Sequence, residues 1–333
     1  MALSWGIASA GKISHDFVCA LSTLPDDEHK VVSVGARDKA RAEEFAKLHG
    51  IPNAYGSYIE LAKDKSIDVV YIGALNPAHY DIAMLMLEHG KHILCEKPLC
   101  MNEKQARKLI NYAELKKLFL MEAIWSRFFP SYQYLRKQIN AGVLGEIKEV
   151  EAGFGFDLGD VDRLQKRTMG GGTILDLGVY VIQVSQWVFQ EPPKSVKATG
   201  KLNSDGVDIS MEADVEYSSG RIAKIRTSAE KELDNVAVIK GTKGQITLKQ
   251  FWCPVSIIDI DGKEKVWPLP ESKLKPNFTN SVGLRFEAME VRRCIQEGKL
   301  QSDVISHNES ILIAKIEDDI RKQIGVVYEE DKS

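Results

Sequence analysis

Lys97, in Cys95-Glu96-Lys97-Pro98, and Tyr180, in Gly170-Gly171-Gly172-Thr173-Ile174-Leu175-Asp176-Leu177-Gly178-Val179-Tyr180, are the residues of this sequence whose types best suit chemistry. They stand about eighty residues apart, in stretches of different patterning. A lysine ammonium beside a tyrosine favours the phenolate and lowers a pKa otherwise near about 10. Such a pair can take the proton of an alcohol while a hydride leaves the carbon that bears it. Asp176 lies four residues before Tyr180, so on a helix the two share one face. A carboxylate there can bind hydroxyls and support the acid–base residue. The glycines ahead of them permit a tight bend and a close backbone approach to a ligand.

The elements that position these residues follow from hydrophobic period. Strands are predicted at Trp5 to Ala10, Val31 to Ala36, Asp68 to Ile72, His92 to Cys95 and Phe119 to Glu122. Between them fall helical patterns at Lys12 to Leu21, Asp38 to His49, Tyr58 to Lys63, Ala78 to His89 and Asn102 to Leu115. Such alternation predicts an α/β Rossmann domain, a doubly wound parallel sheet with helices on both faces, over residues 1–123. Lys97 then sits at the carboxyl end of a parallel strand, where such sheets bind ligands.

Residues 124–333 read differently. After a helix from Pro130 to Ala141 come strands at Ile147 to Phe156, Val196 to Lys201, Ile209 to Tyr217, Arg221 to Ala229, Val236 to Gly241, Gly244 to Leu248, Val255 to Ile260 and Lys265 to Pro268. Helices over Leu284 to Glu297 and Asn308 to Ile324 close the chain. The expectation is an α+β substrate and dimerisation domain, a large, mostly antiparallel open sheet with helices on one side. Its other face, read as apolar, is a natural surface for a homodimer.

The turn Ile7-Ala8-Ser9-Ala10-Gly11-Lys12-Ile13-Ser14 joins the first strand to the first helix. A dinucleotide fingerprint has glycines at three places here; this chain keeps Gly11 and has Ser9 and Ser14 at the outer two. Ser9, Gly11, Lys12 and Ile13 are therefore candidate cofactor contacts. At the end of the second strand, Arg37 and Arg41 suit the extra phosphate of NADP, whereas Asp38 either caps the next helix or contacts a ribose and supports NAD. The balance leans to NADP over NAD. Asn76, His79 and Glu96 open at the same sheet edge as Lys97 and join the candidates. His79 also suits a plain helix start, and Glu96 a local cap.

Net charge is −3 from 44 basic and 47 acidic residues, mixed throughout, which argues against a nucleic-acid partner. The N-terminus lacks the pattern of a secretory signal and no apolar run reaches membrane-spanning length, so a cytoplasmic protein with no membrane partner is expected. The 5 cysteines show no metal-type pairing and are read as reduced, buried thiols; no metal is expected. Two glycosylation triplets, at Asn277 and Asn308, are taken as accidental.

Taken together, Asn76-Pro77-x-His79, Glu96-Lys97-Pro98 and Gly170-Gly171-Gly172-x-x-x-Asp176-x-Gly178-x-Tyr180 give the chain a resemblance to the glucose–fructose oxidoreductase/inositol dehydrogenase family over nearly its full length. Many members carry histidine at the last position; Tyr180, with Arg37-Asp38, Ala54-Tyr55-Gly56-Ser57-Tyr58 and the run Met121 to Pro130, is similar to its dihydrodiol-oxidising branch. The resemblance implies an NADP-dependent oxidation of trans-dihydrodiols of aromatics, and of aldoses such as D-xylose at the anomeric hydroxyl. Tyr180 is then the general base, Lys97 its partner and Asp176 the orienting carboxylate. Trp125 and Phe154 become walls of an apolar pocket, or else ordinary core residues. The loop 157–169, with Arg163, Lys166 and Arg167, is a candidate cover. Two alternatives stay open: a sugar or inositol dehydrogenase of the same fold, and a non-catalytic NADP-binding sensor.

Overall fold

In the computed structural model, which describes residues 2–332, the apolar runs of the first third form a six-stranded parallel sheet. Its elements are β1 (Leu3–Ala8), α1 (Lys12–Leu21), β2 (His29–Gly35), α2 (Lys39–His49), β3 (Asn53–Tyr55), α3 (Tyr58–Lys63), β4 (Val69–Ile72), α4 (His79–Glu88), β5 (His92–Glu96), α5 (Glu103–Lys116) and β6 (Leu120–Ala123). The strand order β3-β2-β1-β4-β5-β6 reverses between β1 and β4, which is the doubly wound arrangement. β4 is buried at every residue, as its unbroken apolar run requires. Asp38 caps α2, its side chain accepting from the amides of Ala40 at 2.9 Å and Arg41 at 3.4 Å. Ser57 caps α3 through the Glu60 amide. β3, absent from the sequence reading, is a three-residue edge strand too short to show an alternation.

The second sheet has eight strands, ordered β14-β13-β12-β11-β7-β10-β9-β8. They are β7 (Ile147–Gly155), β8 (Ser195–Leu202), β9 (Asp208–Glu216), β10 (Ile222–Ser228), β11 (Val236–Gly241), β12 (Gly244–Lys249), β13 (Ser256–Ile258) and β14 (Glu264–Val266). Neighbours pair antiparallel except β7 with β10. The helices of this part are α6 (Pro130–Asn140), α7 (Asp162–Gln165) and α8 (Val179–Phe189), followed by α9 (Leu284–Gln296) and α10 (His307–Ile324). α8 is buried along its whole length and lies against β7, β10 and β11, whose inward residues include Val150, Ala152, Ile225 and Ile239. The outward face corrects the sequence expectation of an apolar surface. Strict alternation sends the aliphatic residues to α8 and leaves Glu149 paired with Lys224 at 2.7 Å and with Lys240 at 2.9 Å. Those two ammonium groups hold the Glu149 carboxyl down at about 2.

The chain divides into two compact units: the first runs through Cys100 and includes Lys104–Trp125 and Leu269–Ser310; the second comprises Met101–Glu103, Ser126–Pro268 and the residues from Ile311 on. By this division α9 and the segment before it lie in the first unit. α9 packs on α1 there. The Asp16 carboxylate of α1 accepts from the amides of Asn277 at 2.7 Å and Phe278 at 2.8 Å, from the Asn277 side chain at 2.8 Å and from the Ser281 hydroxyl at 2.6 Å. Among the described residues, no helix is long and apolar enough to cross a membrane. All five cysteines are buried free thiols.

Candidate active site

The first unit gathers its candidates at the carboxyl edge of the parallel sheet. Ser9 follows β1 with φ 91°, a backbone region that usually requires glycine. The turn thus keeps the shape of the missing glycine although the residue there is serine. Gly11 stands at the N-cap of α1 with no side chain capping the helix, and the first turn holds no acidic residue. A β-carbon on Gly11 would approach Ser9 Oγ at 3.6 Å and the Gly73 carbonyl at 3.7 Å, so the protein itself does not crowd the position. A helix start with no side-chain cap, beside an uncrowded glycine, fits a dinucleotide pyrophosphate. Lys12 and Ile13 form the first turn of that helix.

Arg37 and Arg41 are exposed beyond the end of β2. Both act electrostatically on Tyr58, opposing the upward push that burial gives its hydroxyl, and Ser9 bonds the same side chain. Ser9, Arg37, Arg41 and Tyr58 are therefore neighbours at one strand end. Tyr58 was not singled out from sequence; its place in Ser57-Tyr58, directly after the short β3, is the signal that could have found it. Asp38 has its carboxylate in the α2 cap.

Asn76 begins the short helical turn after β4 and is partly exposed. His79 is fully buried, its Nδ1 2.8 Å from the Pro98 carbonyl and its Nε2 3.1 Å from the Ala74 carbonyl. Burial pushes its pKa down, and the nearby Lys97 charge adds to this. Glu96 is also buried, with Oε1 accepting from the Tyr71 hydroxyl at 2.6 Å. Both side chains brace the loop that carries Lys97. A buried polar group needs partners, and the loop's carbonyls and Tyr71 supply them. Lys97 itself is partly exposed just beyond β5, and its amide donates to Glu96 Oε2 at 3.3 Å. Trp125, also of this unit, is buried.

The second unit brings Asp176, Tyr180 and Phe154 together. Asp176 lies in a π-helical turn, Ile174–Gly178, that runs directly into α8 and Tyr180. Asp208, buried on β9, anchors that turn: its Oδ2 accepts from the Thr173 hydroxyl at 2.6 Å and the Ile174 amide at 2.8 Å. Phe154 of β7 meets the Tyr180 ring edge-to-face, centroids 5.5 Å apart, and stacks on Trp252 at 4.5 Å. Phe156 and Phe251 complete the aromatic group. Trp252, stacked on Phe154, was not singled out from the sequence; the adjacent pair Phe251-Trp252 at a strand end was its signal. Its place is fixed by Ser126 Oγ, which donates to the Trp252 carbonyl at 2.6 Å. Arg163 of α7 donates from Nη1 to Asp176 Oδ1 at 2.7 Å.

A nucleotide turn at a strand edge in one unit and a buried tyrosine one helical turn from a carboxylate in the other fit a class, the two-domain oxidoreductases that use a dinucleotide. Residues 3–124 match the oxidoreductase family with an NAD-binding Rossmann fold, and residues 132–247 match the GFO/IDH/MocA C-terminal domain. The chain is 46% identical over 333 residues to a trans-1,2-dihydrobenzene-1,2-diol dehydrogenase of Danio rerio, covering 99% of each protein. It is 42% identical to the protein of that name from Homo sapiens, covering 100% of both. Among solved structures, levoglucosan dehydrogenase bound to NADH and levoglucosan has the same fold, with TM-score 0.82, 20% identity, and 98% of each chain covered. This chain belongs to the GFO/IDH/MocA family and is an oxidoreductase.

Proposed function

We propose that the protein is an NADP-dependent dehydrogenase of trans-dihydrodiols of aromatic hydrocarbons that also oxidises D-xylose at its anomeric hydroxyl. The observation that carries this is Tyr180, four residues after Asp176 and edge-on to the Phe154–Trp252 stack. A flat aromatic diol or a sugar face suits such a wall, and the named relatives act on a dihydrodiol. In the reaction the substrate carbon loses a hydride and its hydroxyl a proton, leaving a carbonyl. The bound nicotinamide supplies the hydride acceptor. Ser9, Gly11, Lys12 and Ile13 hold the dinucleotide, with the start of α1 toward its phosphates. Tyr180 Oη takes the proton, the Lys97 ammonium favours the phenolate that receives it, and Asp176 orients the diol. Mixing enzyme with NADP and a trans-dihydrodiol, or D-xylose, should raise absorbance at the reduced-nicotinamide band. Silence with every diol and sugar despite tight NADP binding would overturn the reading.

The preference for NADP rests on Arg37 and Arg41, exposed beside Tyr58 while Asp38 serves the helix cap. Arg37→Ala and Arg41→Ala should each lower the ratio of kcat/KM with NADP to that with NAD by about 10- to 100-fold, the worth of one charged hydrogen bond. An unchanged ratio in the double variant would assign the preference elsewhere. We also place the protein in the cytoplasm as a homodimer through the outer face of the eight-stranded sheet. With charged pairs such as Glu149–Lys224 on that face, sedimentation should show a dimer that weakens as salt rises.

A further inference from the structure

Arg163 owes its position to the glycine run. Gly171 can carry no side chain, since a β-carbon would lie 2.6 Å from the Leu164 carbonyl and 2.8 Å from that of Lys166. Its amide donates to the Lys166 carbonyl at 3.0 Å, and that of Gly172 to the Leu164 carbonyl at 2.9 Å. The three glycines therefore fold the chain back on α7 and bring a guanidinium from thirteen residues upstream onto Asp176. The segment is pinned rather than loose. Leu164 is buried, Asn203 Nδ2 donates to the Gln165 carbonyl at 2.9 Å, and the Leu158 amide to the Ala229 carbonyl at 2.9 Å.

We propose that Arg163 is a positioning residue of the oxidation site: it holds the Asp176 carboxylate and offsets a negative charge that would otherwise oppose the Tyr180 phenolate. The proposal rests on Tyr180 being the base. An anion one turn away disfavours ionisation of a tyrosine, and a permanent cation paired to that anion removes the opposition. The guanidinium holds its proton more tightly than usual, chiefly through Asp176 and to a smaller degree through Tyr180, which places both within its field. Among the described residues, two buried charged groups of other segments lie near this turn of α8: Arg127, whose guanidinium donates to the Gln183 side chain and carbonyl at 3.0 Å, and Asp208, which anchors the turn that carries Asp176. β7 presents Phe154; β10 presents Ala223, Ile225 and Thr227; β11 presents Ala237 and Ile239. α6 brings Arg136 to Trp187, two turns further along α8. Lys97, by the function proposed above, adds a further cation.

Oxidation needs the phenolate, so activity rises with pH through the Tyr180 titration, and removal of a cation moves that rise to higher pH. In Arg163→Gln the acidic limb of kcat/KM with NADP and a dihydrodiol should move up by about 1 to 2 pH units, the effect of a charge within a few ångströms. Arg163→Lys should move it less than half as far. The 13Cζ resonance of Tyr180 in the full-length enzyme, assigned by its loss in Tyr180→Phe, should titrate with the same displacement. A uniform loss of activity at every pH with an unmoved resonance would overturn the proposal, as would an unmoved limb. Should Tyr180→Phe keep full activity, the base assignment falls. The resonance would still report whether Arg163 governs Tyr180.

Discussion

Replacing Tyr180 with phenylalanine should lower kcat by about 10²- to 10⁴-fold, the usual contribution of a positioned general base. The ring would keep its edge-to-face contact with Phe154, and α8 around it is buried throughout, so folding should hardly change. Lys97→Met should give a loss of the same order, and the double variant little more than either single one, because the two groups act as a unit. NADP affinity, read by quenching of protein fluorescence, should stay within a few-fold in Tyr180→Phe. That separation is what distinguishes an enzyme from a nucleotide sensor: a sensor loses nothing measurable when its phenol is removed. Turnover within about 3-fold of the parent in Tyr180→Phe would sink the assignment, since no general-base contribution is that small.

The largest expected effect on stability lies far from that chemistry, at Asp16. Its carboxylate is fully buried and accepts four hydrogen bonds from Asn277, Phe278 and Ser281. Asp16→Ala removes this acceptor from all four donors, and each hydrogen bond to a charged group is worth about 1.5–3 kcal/mol. Since the four are not additive, a total of about 3–5 kcal/mol is expected, or a melting temperature lower by roughly 6–15 °C in a chain of this size. Asp16→Asn, which retains one acceptor oxygen, should fall in between. Removing the Asp38 cap makes a useful comparison, as an N-cap contributes about 1 kcal/mol. Limited proteolysis should also find new cleavage between residues 269 and 283 in Asp16→Ala. If the variant melts within about 1 °C of the parent, this carboxylate does not hold the returning segment.

The amino-acid sequence by itself determined most of the elements and the family. α1 spans Lys12–Leu21, as its apolar period predicts, and Asp38 caps α2 because a short acidic side chain before a helix meets its first free amides. Strand–helix alternation predicted the parallel sheet, and the motifs around Lys97 and Tyr180 predicted the family. These are local signals, carried by neighbours within one or two turns of chain. The tertiary structure alone decided the rest. Nothing near Asp16 in sequence announces that residues 277–281 will close over it. That His79 and Glu96 are buried against Pro98, Ala74 and Tyr71, bracing the loop of Lys97, is likewise seen only in the fold. Trp252 joined Phe154, and Arg163 reached Asp176, by chain reversals that no periodicity encodes. The physical reason is common to all four. A helix or strand is selected by interactions between near neighbours, whereas a buried charge or ring takes whichever distant partner satisfies it once the sheets have closed.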